Sequence, residues 1–135
     1  MSRFDFSDEE FAARRQKTRA AMIAKGLDWL VVIHPVAIRW LTGSDAKSYQ
    51  EFQCLLFSAK AGPVVILTRS GEANEFRDDA LVDEIIPYGG GEPDDPMAAF
   101  AEVARRHGLP GTRVGLDVPA FYLHPHHYVR LKTWL

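Results

Sequence analysis

The chain reads as an α/β domain with a mixed β-sheet flanked by helices, and three observations carry that reading. Short apolar runs alternate along the sequence with segments of helical period. Two of those runs are separated only by a turn at Ala61-Gly62, which places one hairpin among strands otherwise joined through helices. The run Trp29-Leu30-Val31-Val32-Ile33 is unbroken by polar residues and rich in β-branched ones, as expected of a strand covered on both faces.

Ser7 and Glu10 have the spacing of a capping box, in which each side chain satisfies an orphan N–H at the helix start, and they predict a helix from Asp8 to Lys25. Phe11, Thr18 and Met22 share one face, Ala21 widens it, and Gly26 ends the helix in a left-handed conformation. Met22 and Trp29 are expected to join this helix and the first strand in the same core. His34-Pro35 stops the strand, because proline cannot donate to the ladder. Val36 to Leu41 is a short helix closed by Gly43, and Ser44 to Tyr49 is a polar loop. Phe52 to Ser58 and Pro63 to Thr68 are the hairpin strands. Glu72 to Leu81 is a helix and Glu84 to Tyr88 a short strand. Asp95 caps a helix that has Pro96 at its first position and ends at Gly108. Arg113 to Val118 is a further strand. His124 to Leu135 is the last helix, with Tyr128, Leu131 and Leu135 on one face. The sequence stops inside that amphipathic helix without a stop signal. Residues 1–135 are therefore expected to be a single domain cut from a longer protein.

Bulk properties narrow the function classes. A length of 135 residues suits one domain with its own core. A net charge of -2 gives no field to draw in nucleic acid or anionic lipid, so neither is an expected partner. The single cysteine, Cys54, excludes an internal disulfide and fits a reducing compartment. The polar, acidic start lacks the basic and apolar regions of a secretory signal. No apolar run approaches the roughly 20 residues that span a bilayer. A cytoplasmic location is expected.

No segment carries a complete catalytic set. His124, His126 and His127 cluster, but adjacent histidines on a helix point about 100° apart, and they read as surface residues at a helix start. Gly89-Gly90-Gly91 lies where phosphate loops sit, yet Glu92, Asp94 and Asp95 would repel a phosphate, so it reads as a connector. Cys54 reads as a core residue. Asp78, Asp79, Asp83 and Glu84 read as a solvated acidic face. The polar stretch from Ser44 to Gln53 mixes Tyr49 and Phe52 with hydrogen-bonding groups just after Gly43. It reads equally as a binding loop and as a hairpin approach with Tyr49 and Phe52 packed inward.

Arg14, Arg19, Met22, Gly26-Leu27-Asp28, the following apolar strand, and Ile38, Leu41, Thr42 and Gly43 form an R…R..M…GLD-strand-NI.YLTG pattern, and Arg113-Val114-Gly115-Leu116-Asp117 supplies a later strand motif. In these residues the chain resembles the N-terminal domain of metallohydrolases of the creatinase, prolidase and aminopeptidase P family. Ala37 stands where that family usually has Asn, and Trp40 where it usually has Tyr. The resemblance implies an α/β fold with a ribonuclease H-like motif. It also implies that catalysis belongs to a separate C-terminal "pita-bread" domain, where a pair of divalent metal ions (Mn, Co or Zn) often binds and to which no residue here corresponds. The N-terminal domain of such proteins helps build a homodimer and often lends residues over the partner's active site. By that resemblance Tyr49, Gln50 and Glu51, then Ser44 and Asp45, are the candidates for capping substrate.

Two functions are thus expected. One is the non-catalytic N-terminal domain of a creatinase- or Xaa-Pro dipeptidase-like hydrolase of C–N bonds in a small substrate, silent by itself. The other is a stand-alone α/β module for dimerisation or small-ligand binding. A self-sufficient small enzyme would need a nucleophile, base or metal set that the sequence lacks.

Overall fold

The structure is a computed structural model that describes residues 5–45, 51–90, 95–118 and 122–135. Helix α1 spans Asp8–Ala24, strand β1 Trp29–Val32, helix α2 Pro35–Thr42, and strands β2 and β3 Cys54–Ser58 and Val65–Arg69. A 3-10 turn at Ser70–Glu72 leads into α3, Ala73–Asp79, and then β4, Glu84–Tyr88. Helix α4, Pro96–Arg106, strand β5, Val114–Leu116, and helix α5, Pro125–Trp134, complete the order.

The strands form one mixed sheet in the order β4-β3-β2-β1-β5. β2 is antiparallel to both β1 and β3, while β1 pairs with β5 and β3 with β4 in parallel. Four strands therefore point one way and β2 the other. The carboxyl ends of β1, β3, β4 and β5 and the amino end of β2 share one end of the sheet, where the amino termini of α2, α4 and α5 also begin.

Period-two alternation divides the core. Val31, Ile33, Cys54, Leu56, Val65 and Leu67 meet Met97, Phe100 and Val103 of α4 and Leu131 of α5 on one face. Val32, Leu55, Phe57 and Ile66 meet Met22 of α1, Ile38 and Leu41 of α2 and Phe76 of α3 on the other. β1 is covered on both sides, as its unbroken apolar run predicts. The same alternation corrects the pairing of Met22 with Trp29. Trp29 lies on the face of Val31 and packs edge-on against His107, so the two residues sit on opposite sides of the sheet.

The inner face of α1 also differs from expectation. Phe11 and Met22 are buried, but Ala21 is exposed, and the stripe between them is filled by partly buried Arg15, Thr18 and Arg19. Long arginine stems cover apolar surface while their heads find carbonyl acceptors. Arg19 Nε donates to Ser58 O at 3.1 Å, with its guanidinium over the Phe57 ring.

Local chemistry sets the helix ends, although the capping box of α1 is made from one side only, because the Glu10 carboxylate meets Arg14. Ser7 Oγ accepts from Glu10 N at 3.1 Å, Asp95 Oδ1 accepts from Met97 N at 3.0 Å, and Gly43 closes α2 at φ 82°. The third helix is shorter than expected, because its first turn takes the 3-10 form and Ala80 is extended. On α5 the inward face is His127, Leu131 and Leu135, not Tyr128. Residue 128 is turned about 100° from residue 127, so a stripe of spacing four through 127, 131 and 135 leaves Tyr128 exposed.

Candidate functional site

The end of the sheet that gathers four carboxyl ends is where α/β folds place ligands. Its local structure is built around α2. The α2 amino terminus follows directly from β1, and its N–H groups would otherwise be orphaned. Asp117, just past β5, accepts from Ile33 N and His34 N through its two oxygens, both at 2.8 Å. His34 Nδ1 accepts from Val36 N at 3.2 Å, and its ring meets Tyr122 edge-on at 5.4 Å. The work that an Asn at position 37 could do at the helix start is thus taken by His34 and Asp117.

The α2 carboxyl terminus is held by α1. Arg14 Nη1 donates to Trp40 O at 3.1 Å and Arg15 Nε to Leu41 O at 3.0 Å, while Arg15 Nη2 donates to Leu81 O. Thr42 Oγ1 donates to Ile38 O, Gly43 N to Arg39 O, and Leu81 N to Thr42 O. Burial lowers the Arg15 pKa from its ordinary value, with Asp83 opposing the shift and Arg19 adding to it. At its amino end α2 is fixed by Asp117, just past β5, and at its carboxyl end by Arg14 and Arg15 of α1.

That fixation aims the chain segment leaving Gly43. Ser44 is 1% exposed; its Oγ donates to Asp79 Oδ1 at 2.7 Å and its N to Thr42 Oγ1 at 3.2 Å. Asp45 N donates to Asp79 Oδ2 at 3.2 Å, and its carboxylate meets Arg39 at 3.0 Å. Glu51 lies exposed on the returning limb, 4.0 Å from Arg69. Tyr49 and Gln50 lie outside the described residues. Phe52 is 1% exposed and packs against Phe100 and His127, so at that residue the inward alternative holds. Tyr88 Oη donates to Phe52 O at 2.5 Å; burial pushes the Tyr88 hydroxyl well above the usual tyrosine range. Gln53 is buried, with its Oε1 accepting from Thr68 Oγ1 and its Nε2 unpartnered.

Sequence reading missed Asp79, Asp117 and His127. Of the acidic residues expected on a solvated face, Asp78 and Asp83 are exposed, though Asp83 also accepts from Val64 N at 2.7 Å, while Asp79 anchors Ser44 and Asp45 and Glu84 meets Arg106 and His107. Their partners lie 19 or more residues away, beyond any local pattern. His127 is likewise no surface residue, being 8% exposed. Cys54 is fully buried, which pushes its thiol far above the ordinary range, as a core cysteine should be. Gly89 and Gly90 take positive φ beside Ser70, in a connector that Ser70 Oγ holds at 2.6 Å from Gly89 O; Gly91 lies outside the described residues. Among the described residues no three His, Cys, Asp or Glu side chains gather so as to hold a metal ion. Among them also, no helix is long and apolar enough to cross a membrane.

Comparison with known proteins agrees with this architecture. The chain is 32% identical over 136 residues to an uncharacterized hydrolase/peptidase, y4tM, of Sinorhizobium fredii, a match over 96% of this chain and 35% of that protein. It is 41% identical over 59 residues to the ectoine hydrolase of Halomonas elongata, over 44% of this chain and 15% of that protein. The chain thus spans about a third or less of these curated relatives. Among solved structures, dipeptidase PepE of Mycobacterium ulcerans superposes with a TM-score of 0.74 at 23% identity, over 96% of this chain and 33% of that one. The N-terminal domain of the Xaa-Pro dipeptidase of Lactobacillus brevis gives 0.75 at 14% identity, over 90% and 87% of the two chains. That of the X-Pro dipeptidase of Streptococcus pyogenes gives 0.72 at 19%, over 91% and 88%. At such identities the likeness is one of fold. The sequence profile of the Creatinase/Prolidase N-terminal domain matches residues 14–133, and the chain belongs to that family.

Proposed function

We propose that this chain is the non-catalytic N-terminal domain of a longer hydrolase of the creatinase or Xaa-Pro dipeptidase type, cleaving a C–N bond in a small substrate. The observation that carries the reading is one of proportion. The chain spans most of two solved N-terminal domains but only about a third of full-length relatives. Catalysis, and any pair of Mn, Co or Zn ions, would then reside in the C-terminal domain of the same protein. The enzyme would act as a homodimer in the cytoplasm, without nucleic acid or membrane as partner.

In this reading the loop after Gly43 caps the partner subunit's active site. Its amino-terminal limb is tied down through Ser44 and Asp45 to Asp79, which favours a defined loop direction. Ser44 and Asp45 would set the loop's exit, and Tyr49, Gln50 and Glu51 would meet the substrate. A rigidly mounted loop on a scaffold is the usual vehicle for such contacts.

The test uses the full-length protein from its own gene, assayed on Xaa-Pro dipeptides, creatine and ectoine with Mn, Co or Zn. Tyr49→Phe and Gln50→Ala are each expected to leave the domain's stability within about half a kcal/mol, as surface changes do. At least one is expected to lower kcat/KM tenfold or more, equivalent to about 1.4 kcal/mol of transition-state binding. Unchanged kinetics in both variants would remove the capping role. Turnover by the 135-residue chain itself, lost on chelation, would remove the non-catalytic assignment.

A further inference from the structure

His127 sits in the first turn of α5 with its ring buried against the sheet. The side chain meets Phe52 edge-on at 5.4 Å, and its Nδ1 has no hydrogen-bond partner. A neutral imidazole tolerates this position, because one ring nitrogen is only an acceptor. An imidazolium has two donors and a full charge, and a buried unpaired charge is costly.

The surroundings oppose a charge further. On α5 itself the rings of His126 and His124 lie 4.1 and 5.5 Å away, and Arg130 is one turn on. At the α4 cap the Asp95 carboxylate favours a charge, but it is already engaged, with both oxygens meeting Arg130 at 3.0 and 2.9 Å and Oδ1 also accepting from Met97 N. From the sheet the facing side chain is Phe52, whose carbonyl is taken by Tyr88. The Asp95 carboxylate and the Phe52 carbonyl are thus both already engaged by other donors.

We propose that His127 is an acid-sensitive latch: α5 docks on β2 and α4 only with a neutral ring, and protonation loosens α5 while the rest of the sheet stays folded. Burial, then His126 and His124, push the ring's pKa down to about 4 from its ordinary 6.5. Above pH 6.5 the ring is neutral whether α5 is docked or free, and docking is at full strength. As pH falls from there towards 4, the free helix takes up a proton that the docked one refuses, so docking weakens. The amino terminus of α5 stands at the end of the sheet described above as the candidate site. Acid would therefore change that end before it changed the core.

The test is a titration of the histidine ring protons by NMR in the 135-residue chain, with amide exchange followed at the same pH values. The expected result is a His127 midpoint below pH 5.5. Protection in α5 should fall tenfold or more between pH 7 and 5, with β2 and α1 changing less than twofold after correction for intrinsic exchange. His127→Leu should flatten the pH dependence of α5. A His127 midpoint of 6 or higher, or a loss of protection equal in α5 and β2, overturns the latch. The wild-type titration decides the matter by itself if His127→Leu does not fold.

Discussion

α2 and α5 open on the same dipeptide, His34-Pro35 and His124-Pro125, and the two starts are held in different ways. In α2 the His34 ring accepts from Val36 N, and Asp117 covers the two preceding N–H groups. In α5 the His124 side chain makes no capping hydrogen bond, and its ring packs instead among those of His126 and His127. The far end of α2 is tied by Arg14 and Arg15 from α1, and Arg130 of α5 grips Asp95 at the α4 cap. One dipeptide thus gives a helix locked at both ends or one resting on side-chain packing. Proline presets the first helical residue in both. What differs among the described contacts is that the His34 side chain caps its own helix, whereas the His124 side chain does not.

Breaking the α2 side should have the largest effects. Met22 is 2% exposed and packs with Ile38 beneath α2, so Met22→Ala is expected to cost about 2–5 kcal/mol in denaturant unfolding. A loss under about half a kcal/mol would mean that α1 does not floor this helix. Asp117→Ala strips the acceptor from two N–H groups and should cost about 2–4 kcal/mol, as hydrogen bonds to charged groups do. Asp117→Asn keeps one acceptor and should fall between. Equal stability for wild type and both variants would show that the clasp is ornamental. Sharpening the comparison calls for the opposite change on α5. His124→Ser supplies the missing cap and should stabilise α5 by about 0.5–1 kcal/mol, read as slower amide exchange in its first turn. The same Ser at position 34 should destabilise or be neutral, since that cap is already made.

Which parts of this were legible in the sequence follows from the range of the interactions. Ser7, Asp95 and Gly43 act within three or four residues, so their roles could be read from spacing. Glu84 to Tyr88 is bounded as read, because turn residues punctuate it on both sides. The placement of Trp29 and Met22 required knowing which face of β1 meets α1, and an all-apolar strand carries no alternation to say so. Asp117 reaches 84 residues to Ile33, Arg15 reaches 66 to Leu81, and Asp79 reaches 35 to Ser44. No local window contains those pairs. His127 was misread because a histidine beside two others at a helix start looks solvated until Phe52 is folded over it. At the candidate site the loop was legible as a polar stretch, whereas its anchor, Asp79, was not.

Cys54 sits in β2, the middle strand of the sheet, with no exposed surface and a thiol pushed far up by burial. The thiolate is the nucleophile that attacks a thiol reagent, so this residue can be labelled only in molecules where the strand has been uncovered. As the chain has a single cysteine, the labelling rate is an internal stopwatch for global opening, with no background to subtract. When opening and closing are fast against the reagent, that rate divided by the rate for an unfolded thiol is the open fraction itself. Each variant above can then be ranked in plain buffer, without denaturant or extrapolation. A change that undermines α1 or the Asp117 clasp, both away from the face of β2 that carries Cys54, should speed the stopwatch through global opening alone.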